Sequence, residues 1–157
     1  MVNLGRTLFF DAESLQRNSP ESSVALVKDE QELQAAIKNG TKLIFLAAED
    51  YFVLGSVKLG LFVNIASMQE MTHEVIKNYF GIINRVKDQI SYFYCCNRVE
   101  KKLPGGEVIQ FSGYPWGNAK VLVSELCPWY QRFPIGRPPW WKPFDGSTAH
   151  RLVKYCE

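Results

Sequence analysis

The most constraining feature of the sequence is an amphipathic pattern between Ser67 and Phe93. Apolar side chains recur there at intervals of three and four residues, which places them on one face of a helix: Met68, Met71, Val75, Tyr79, Ile82, Val86, Ile90 and Phe93. Ser67 is followed three residues later by Glu70, the capping-box spacing of a helix start. The pattern therefore predicts one long amphipathic helix, from Ser67 to about Phe93, that packs against a sheet.

A shorter helical pattern lies between two apolar runs near the start of the chain. Asp29, with Glu32 three residues later, predicts a helix start, because an Asp side chain can accept an unpaired backbone N–H group. Asn39, followed by a glycine, predicts the helix end. The apolar runs Val24–Val27 and Lys42–Ala47 are typical of strands. We predict a strand–helix–strand unit, whose crossover is right-handed if the strands are parallel.

The best alternating pattern lies directly before the predicted long helix. Every second residue from Val57 to Ile65 is aliphatic, which predicts a strand with one apolar face. Because this strand runs straight into Ser67, we predict that its apolar face packs on the long helix.

Other elements are predicted on either side of this centre. Residues 1–23 read as a short strand or anchored arm at Thr7–Phe10 and a polar connection. After the long helix, Glu107–Phe111 and Ala119–Leu126 are typical of strands, and the turn residues between them favour a hairpin. Ser147 is placed to cap a final helix near the end of the chain.

Together these elements predict the α+β class. We expect a single domain over residues 1–157, built on a mainly antiparallel sheet of five or six strands. One long amphipathic helix covers one face of that sheet, and residues 127–146 form a long irregular loop rich in proline and aromatic residues. With 157 residues, 46% of them hydrophobic, the chain can bury a core without disulfide support.

Charge and composition narrow the class of protein. The formal net charge is +2, but residues 1–78 hold seven basic and ten acidic residues, whereas residues 79–157 hold eleven and six. This asymmetry favours an anionic partner for the second half. The most hydrophobic region, residues 42–66, is interrupted by Glu49, Asp50 and Lys58, which argues against a transmembrane helix and a membrane partner. Residues 1–10 hold only a short apolar run with no small-residue cleavage site after it, so we expect no secretory signal.

The cysteines indicate a reducing environment. Cys95 and Cys96 are adjacent, and Cys127 and Cys156 complete the set of four. This spacing differs from the regular framework of small secreted proteins. We therefore expect reduced thiols and a location in the cytoplasm or the interior of an organelle.

The segment from Cys127 to Phe144 is the candidate binding site. Its five prolines disfavour regular structure, and no acidic residue lies between Glu125 and Asp145. Tryptophan and arginine dominate binding hot spots, and long irregular segments in compact domains are often functional. The candidate binding residues are Trp129, Tyr130, Arg132, Arg137, Trp140, Trp141 and Lys142.

Two other interpretations of this segment remain open. Its rings can fold back to cover the sheet, with the prolines stiffening the cover. Alternatively, the rings can stack on bases while the basic residues contact phosphates, which would make the protein a nucleic-acid or nucleotide binder. The few cations and the absence of RNA-binding strand motifs weigh against the second alternative.

No metal, cofactor or catalytic set is predicted. Glu70 and His73 have a spacing found in di-iron helices, but the required second copy is missing. Cys127 and His150 could form a nucleophile pair only if the fold brought them together. Nothing in the sequence marks either residue as reactive.

The sequence therefore predicts a non-catalytic protein-binding module, an accessory subunit of a larger assembly or a small inhibitor. It would dock on a protein partner through the Trp/Arg/Pro-rich loop. The first alternative is nucleic-acid or nucleotide binding by the same loop, and the second is a cysteine-dependent enzyme.

Overall fold

The computed structural model describes residues 2–3, 5–85 and 92–155. The chain divides into two compact units, residues 1–56 (unit 1) and residues 57–157 (unit 2). The prediction of one domain over the whole chain stays a prediction.

Unit 1 is built on a small parallel sheet with helices between its strands. Its elements are β1 (Val2–Asn3), α1 (Gly5–Asn18), β2 (Val24–Val27), α2 (Glu30–Lys38) and β3 (Leu43–Ala47). The strand order is β1-β3-β2, and β3 pairs in parallel with both neighbours. A run of 3-10 turns, Ala48–Ser56, completes the unit.

The predicted strand–helix–strand unit is confirmed by β2, α2 and β3. The Asp29 side chain accepts a hydrogen bond from the Glu32 backbone N–H at 2.8 Å, so the predicted cap is formed. Gly40 adopts a φ of +68° just past the helix, a conformation that glycine reaches without strain. By contrast, the strand or arm predicted at Thr7–Phe10 is wrong, because this segment lies inside α1.

Unit 2 contains nine further elements, eight strands and one helix, in the part of the chain that the structure describes. They are β4 (Leu61–Ile65), α3 (His73–Arg85), β5 (Tyr92–Arg98), β6 (Glu100–Lys102), β7 (Val108–Gln110), β8 (Lys120–Leu126), β9 (Arg132–Pro134), β10 (Trp141–Pro143) and β11 (Thr148–Lys154). Four strands form the main sheet in the order β4-β5-β11-β8. β4 and β5 are parallel, whereas β11 is antiparallel to β5 and β8. Two antiparallel pairs, β6–β7 and β9–β10, stand apart from this sheet.

Aromatic rings fill the core between the main sheet and α3. Phe80 of α3 and Phe93 of β5 are 1% and 0% exposed, and their ring centroids lie 5.6 Å apart at a steep angle. Trp116 packs against both, at 5.3 Å from Phe80 and 5.6 Å from Phe93. The guanidinium of Arg151 lies 4.6 Å from the centroid of the Trp116 ring, a cation–π contact.

The predicted helix from Ser67 to Phe93 is wrong at both ends. A 3-10 turn occupies Met68–Glu70, α3 begins only at His73, and Phe93 belongs to β5. The Ser67 side chain makes no cap hydrogen bond to the backbone. Its hydroxyl instead accepts a hydrogen bond from the Asn64 side chain at 2.5 Å. The predicted helical positions 86 and 90 lie outside the described residues.

The predicted five- or six-stranded antiparallel sheet is also wrong. The described residues form a three-stranded parallel sheet, a four-stranded mixed sheet and two separate strand pairs. Only Leu61–Ile65 of the predicted strand 57–65 is extended, and the face predicted to meet the helix is exposed. Leu61 and Val63 are 55% and 49% exposed, while Phe62 packs on Phe93 at 5.0 Å.

The C-terminal elements differ from the prediction because strand pairing is non-local. Strand β7 pairs with β6 and strand β8 pairs with β11, so the predicted hairpin of residues 107–126 does not form. The helix predicted after Ser147 is the strand β11. His150 and Val153 are 3% and 0% exposed although they lie on opposite faces of β11, as expected for an inner strand.

Glu107 ties the β6–β7 pair to the start of α3. Its carboxylate accepts a hydrogen bond from the His73 backbone N–H at 2.9 Å and also contacts Nδ1 of the His73 ring. These bonds, led by the one from the backbone, hold the pKa of Glu107 below its ordinary value of 4.5. The positive end of the helix dipole at the N-terminus of α3 also favours a carboxylate at this position.

This shift predicts an acid-sensitive contribution to stability. A lowered pKa in the folded state stabilises the fold above the unfolded pKa, and the effect is lost as the pH falls through the folded pKa. We expect Glu107→Gln to lower Tm near neutral pH and to flatten the decline of Tm on acidification, as followed by circular dichroism. Glu74→Gln, in the first turn of the same helix, is the control. Parallel declines of wild type and Glu107→Gln would contradict the prediction.

Candidate functional site

Buried amides join the carboxyl ends of the parallel strands β4 and β5. The Asn97 side chain is fully buried; its Nδ2 donates to Asn64 Oδ1 at 2.9 Å, and its Oδ1 accepts from the Gln69 backbone N–H at 3.1 Å. The Gln69 Oε1 in turn accepts the Arg98 backbone N–H at 2.7 Å. We call Asn64, Gln69 and Asn97 the amide cluster. It fixes the turn after β4 against the end of β5.

A groove lies where β5 ends. Its volume is about 490 Å³, and it is lined by Arg98, Val99, Glu100, Lys101, Lys102, Asp145, Gly146 and Ser147. In α/β folds, ligands bind outside the carboxyl ends of parallel strands. The Arg98 guanidinium donates a hydrogen bond to the Asp145 carbonyl and lies 5.3 Å from the centroid of the Phe144 ring. These contacts hold the arginine head in place beside the groove.

Next to the groove, β9 and β10 form a hairpin on a small aromatic base. Phe144 packs on Tyr130 at 4.9 Å and on Phe133 at 5.4 Å. Trp141 pairs with Pro134 across the hairpin, and Lys142 pairs with Phe133. Residues 127–146, predicted as an irregular loop, therefore contain one ordered hairpin.

The tryptophans of the predicted site are exposed. Trp129 is 67% exposed, and Trp140 and Trp141 are each 57% exposed. The predicted cations Arg132, Arg137 and Lys142 are exposed as well, whereas Tyr130 is half-buried. Within the described part of the chain, no carboxylate forms an ion pair with these three cations.

A second polar cluster lies on the face of the main sheet that carries Tyr94 of β5. His150 is 3% exposed; its Nδ1 lies 3.1 Å from the Tyr94 hydroxyl and its Nε2 lies 3.3 Å from Glu125 Oε1. The Trp129 ring packs edge-on against the imidazole at 4.9 Å. The carboxylate favours a proton on Nε2, which leaves Nδ1 to accept from the tyrosine. Burial raises the pKa of Tyr94 to about 12, so this hydroxyl stays protonated and acts as a donor.

The buried cysteines are not placed for nucleophilic catalysis. Burial raises the pKa of both Cys95 and Cys96 to about 12, so both remain thiols at neutral pH. Cys127 is fully buried, and the ring nitrogens of His150 contact Tyr94 and Glu125 instead of its thiol. The geometry therefore opposes the predicted alternative of a cysteine-dependent enzyme.

Glu70 and His73, which have the spacing of metal ligands in the sequence, contact other side chains in the structure. Glu70 forms an ion pair with Lys101 at 3.2 Å, and His73 contacts Glu107. Among the described residues, no three His, Cys, Asp or Glu side chains are grouped as a metal site would require. In the same part of the chain, no helix combines the length and the apolar character needed to cross a membrane.

The sequence did not reveal the groove or the Tyr94–His150–Glu125 cluster. The groove residues come from segments 98–102 and 145–147, which are brought together by the pairing of β5 with β11. Tyr94, Glu125 and His150 come from three different strands of the main sheet. No local spacing connects such residues, so only the strand order could have indicated them.

No family model matches the chain, and no curated protein matches it. Solved structures similar to it include TehB from Haemophilus influenzae, protein 1320 from Thermoplasma acidophilum, and TrmK from M. capricolum in complex with its natural cofactor product S-adenosyl-homocysteine. Their sequence identities are 9%, 11% and 10%, with TM-scores of 0.45, 0.45 and 0.41. The alignments cover 85%, 98% and 99% of this chain, and 49%, 77% and 62% of the three structures.

These similarities are at odds with the function predicted from the sequence, a non-catalytic module, accessory subunit or inhibitor that is not an enzyme. One of the similar structures, TrmK, holds its natural cofactor product. The prediction relied on missing motifs, whereas residues that bind cofactors can converge from distant segments. With TM-scores of 0.41 to 0.45, the similarities assign no activity to this chain, which spans about half of TehB.

Thiol burial gives a direct test of the cysteine geometry. Because Cys95, Cys96 and Cys127 are all buried, we expect a short pulse of iodoacetamide at neutral pH to leave them unmodified in the folded protein. Peptide mapping by mass spectrometry reads each site separately, and a pulse in guanidinium chloride, which should label all three, is the control. Rapid labelling of Cys127 in the folded protein would contradict this geometry.

Proposed function

We propose that this chain binds a nucleotide-type ligand through the β9–β10 hairpin and does so as part of an enzyme. The observation that supports the proposal is the exposure of Trp129, Trp140 and Trp141 beside three exposed cations, in a segment without a carboxylate. Three kinds of ligand belong to this class: a free nucleotide, a nucleoside cofactor and a single-stranded nucleic acid. All three carry a base that can stack on an aromatic side chain.

The hairpin offers both interactions that such ligands use. An indole ring stacks on any base, and each stacked base contributes about 1–3 kcal/mol. Arg132, Arg137 and Lys142 can contact phosphates, and no ion pair among the described residues competes for them. The aromatic base formed by Tyr130, Phe133 and Phe144 supports the hairpin from below, so the tryptophans are not needed to hold it together.

The enzymatic part of the proposal determines the choice of probes. S-adenosyl-homocysteine is a nucleoside derivative found in the TrmK structure, so it is a suitable probe for a nucleoside cofactor. Adenosine monophosphate and a short single-stranded RNA probe the two other members of the ligand class. The alignment covers only 62% of TrmK, so enzymatic activity of this protein is proposed here together with ligand binding.

Fluorescence titration of the tryptophans tests the proposal. We expect at least one of the three probes to quench the fluorescence. Trp140→Ala or Trp141→Ala should weaken its binding roughly 5- to 150-fold, because one stacked base is lost. The matched controls are Trp140→Phe and Trp141→Phe, which keep an aromatic face and should retain most of the affinity.

Salt dependence separates the members of the ligand class. RNA binding should weaken steeply as salt rises, and Arg137→Gln should reduce the slope of log affinity against log salt by about 0.7. Binding of S-adenosyl-homocysteine should depend weakly on salt, because the ligand carries no phosphate. The proposal is excluded if no probe binds, or if both alanine variants bind every probe as the wild type does.

A further inference from the structure

We propose that the groove at the end of β5 is a separate binding site for a small phosphate ester that carries hydroxyl groups, with Arg98 as the residue that binds the phosphate. Its volume of about 490 Å³ lies in the range of small-molecule sites and suits a sugar phosphate or a mononucleotide. The proposal does not depend on ligand binding by the hairpin.

The charges around the groove leave Arg98 available for an anion. Lys101 is already paired with Glu70 at 3.2 Å, and the Glu100 carboxylate accepts a hydrogen bond from the Gln110 side chain at 3.1 Å. Arg98 donates to a backbone carbonyl and forms no ion pair with a carboxylate of the described residues. No ion pair among the described residues therefore competes for its guanidinium, although the carboxylates of Glu100 and Asp145 line the same groove.

Arg98 is also held in position before any ligand binds. Its backbone N–H is fixed by Gln69, its head lies over the Phe144 ring, and one guanidinium nitrogen is bonded to the Asp145 carbonyl. A guanidinium has five N–H donors in a rigid fork, so one such bond leaves donors for a phosphate. Fixing the side chain in advance reduces the entropy cost of binding.

The rest of the lining favours a ligand with hydroxyl groups. Asp145 and Ser147 come from the turn that enters β11, where Gly146 has a φ of +92°. A carboxylate and a serine hydroxyl accept hydrogen bonds from sugar hydroxyls. Lys102 adds a second cation to the lining without a carboxylate partner among the described residues. The combination fits a phosphorylated sugar better than inorganic phosphate alone.

Calorimetric titration with four probes tests the class of ligand. Ribose 5-phosphate and adenosine monophosphate are expected to bind, ribose not to bind, and inorganic phosphate to bind more weakly than ribose 5-phosphate. If both esters bind, the site recognises the sugar phosphate. If only adenosine monophosphate binds, the site recognises the nucleotide, provided that Arg98→Met weakens this binding and Lys142→Met does not; the opposite pattern would assign the binding to the hairpin and overturn the proposal. Failure of both esters to bind would overturn the proposal.

Variants distinguish this site from the hairpin. We expect Arg98→Met to weaken ribose 5-phosphate at least tenfold, and Lys102→Met, an exposed position, to weaken it by a smaller factor. Lys142→Met on the hairpin is the matched control and should leave the affinity unchanged. The proposal is overturned if Lys142→Met weakens binding and Lys102→Met does not.

Arginine footprinting on the unaltered protein keeps the test valid if Arg98→Met fails to fold. Phenylglyoxal modifies accessible arginines, and mass spectrometry reads each one. Ribose 5-phosphate should slow modification of Arg98 and leave Arg132 and Arg137 unchanged. An unchanged rate at Arg98, with or without protection of the hairpin arginines, would show that the groove is not the site. Failure of the hairpin proposal would not alter this readout.

Discussion

The hydrogen bonds of the buried amide cluster are the constraint on which the architecture of unit 2 depends. A buried amide left without partners costs about 1–3 kcal/mol, so the fully buried Asn97 is stable only with Asn64 and Gln69 in place. The cluster therefore sets the path of the chain after β4. It also sets the position of Arg98, whose backbone N–H is bonded to Gln69. These few hydrogen bonds therefore fix the carboxyl ends of β4 and β5, and with them the groove beside Arg98.

The aromatic residues of unit 2 form two populations with different roles. Phe80, Phe93 and Trp116 are buried between α3 and the main sheet, where their edge-to-face contacts fill the core. The tryptophans of the hairpin region are more than half exposed. Composition alone cannot separate the two populations, because both consist of large aromatic rings. The difference arises from strand pairing, which places one set against the helix and the other beyond the sheet.

Local signals in the sequence identified α2 correctly, but they misplaced the start of α3 and predicted a helix where β11 lies. The cap at Asp29 and the glycine after Asn39 define α2 in the sequence and in the structure. The sequence did not predict β5, because Tyr92–Arg98 directly follows a helical pattern. In the structure, the packing of Phe93 against Phe80 of α3 overrides that pattern. Likewise, β11 has helical spacing of its apolar residues but lies between two strands. The hairpin residues were predicted as a binding site from composition, and this stays a prediction. Arg98, Glu125 and His150 are brought beside their partners only by long-range strand pairing.

Amide hydrogen exchange at Arg98 tests the central role of the amide cluster most directly. The Arg98 N–H is bonded to a side chain, the Gln69 carboxamide, so its protection reports on the cluster itself. Slow exchange at Arg98, similar to that of the inner residues of β5, is expected for the wild-type protein. Gln69→Ala should accelerate exchange at Arg98 while leaving Phe93 protected. Fast exchange at Arg98 in the wild type, or no change in Gln69→Ala, would contradict the account.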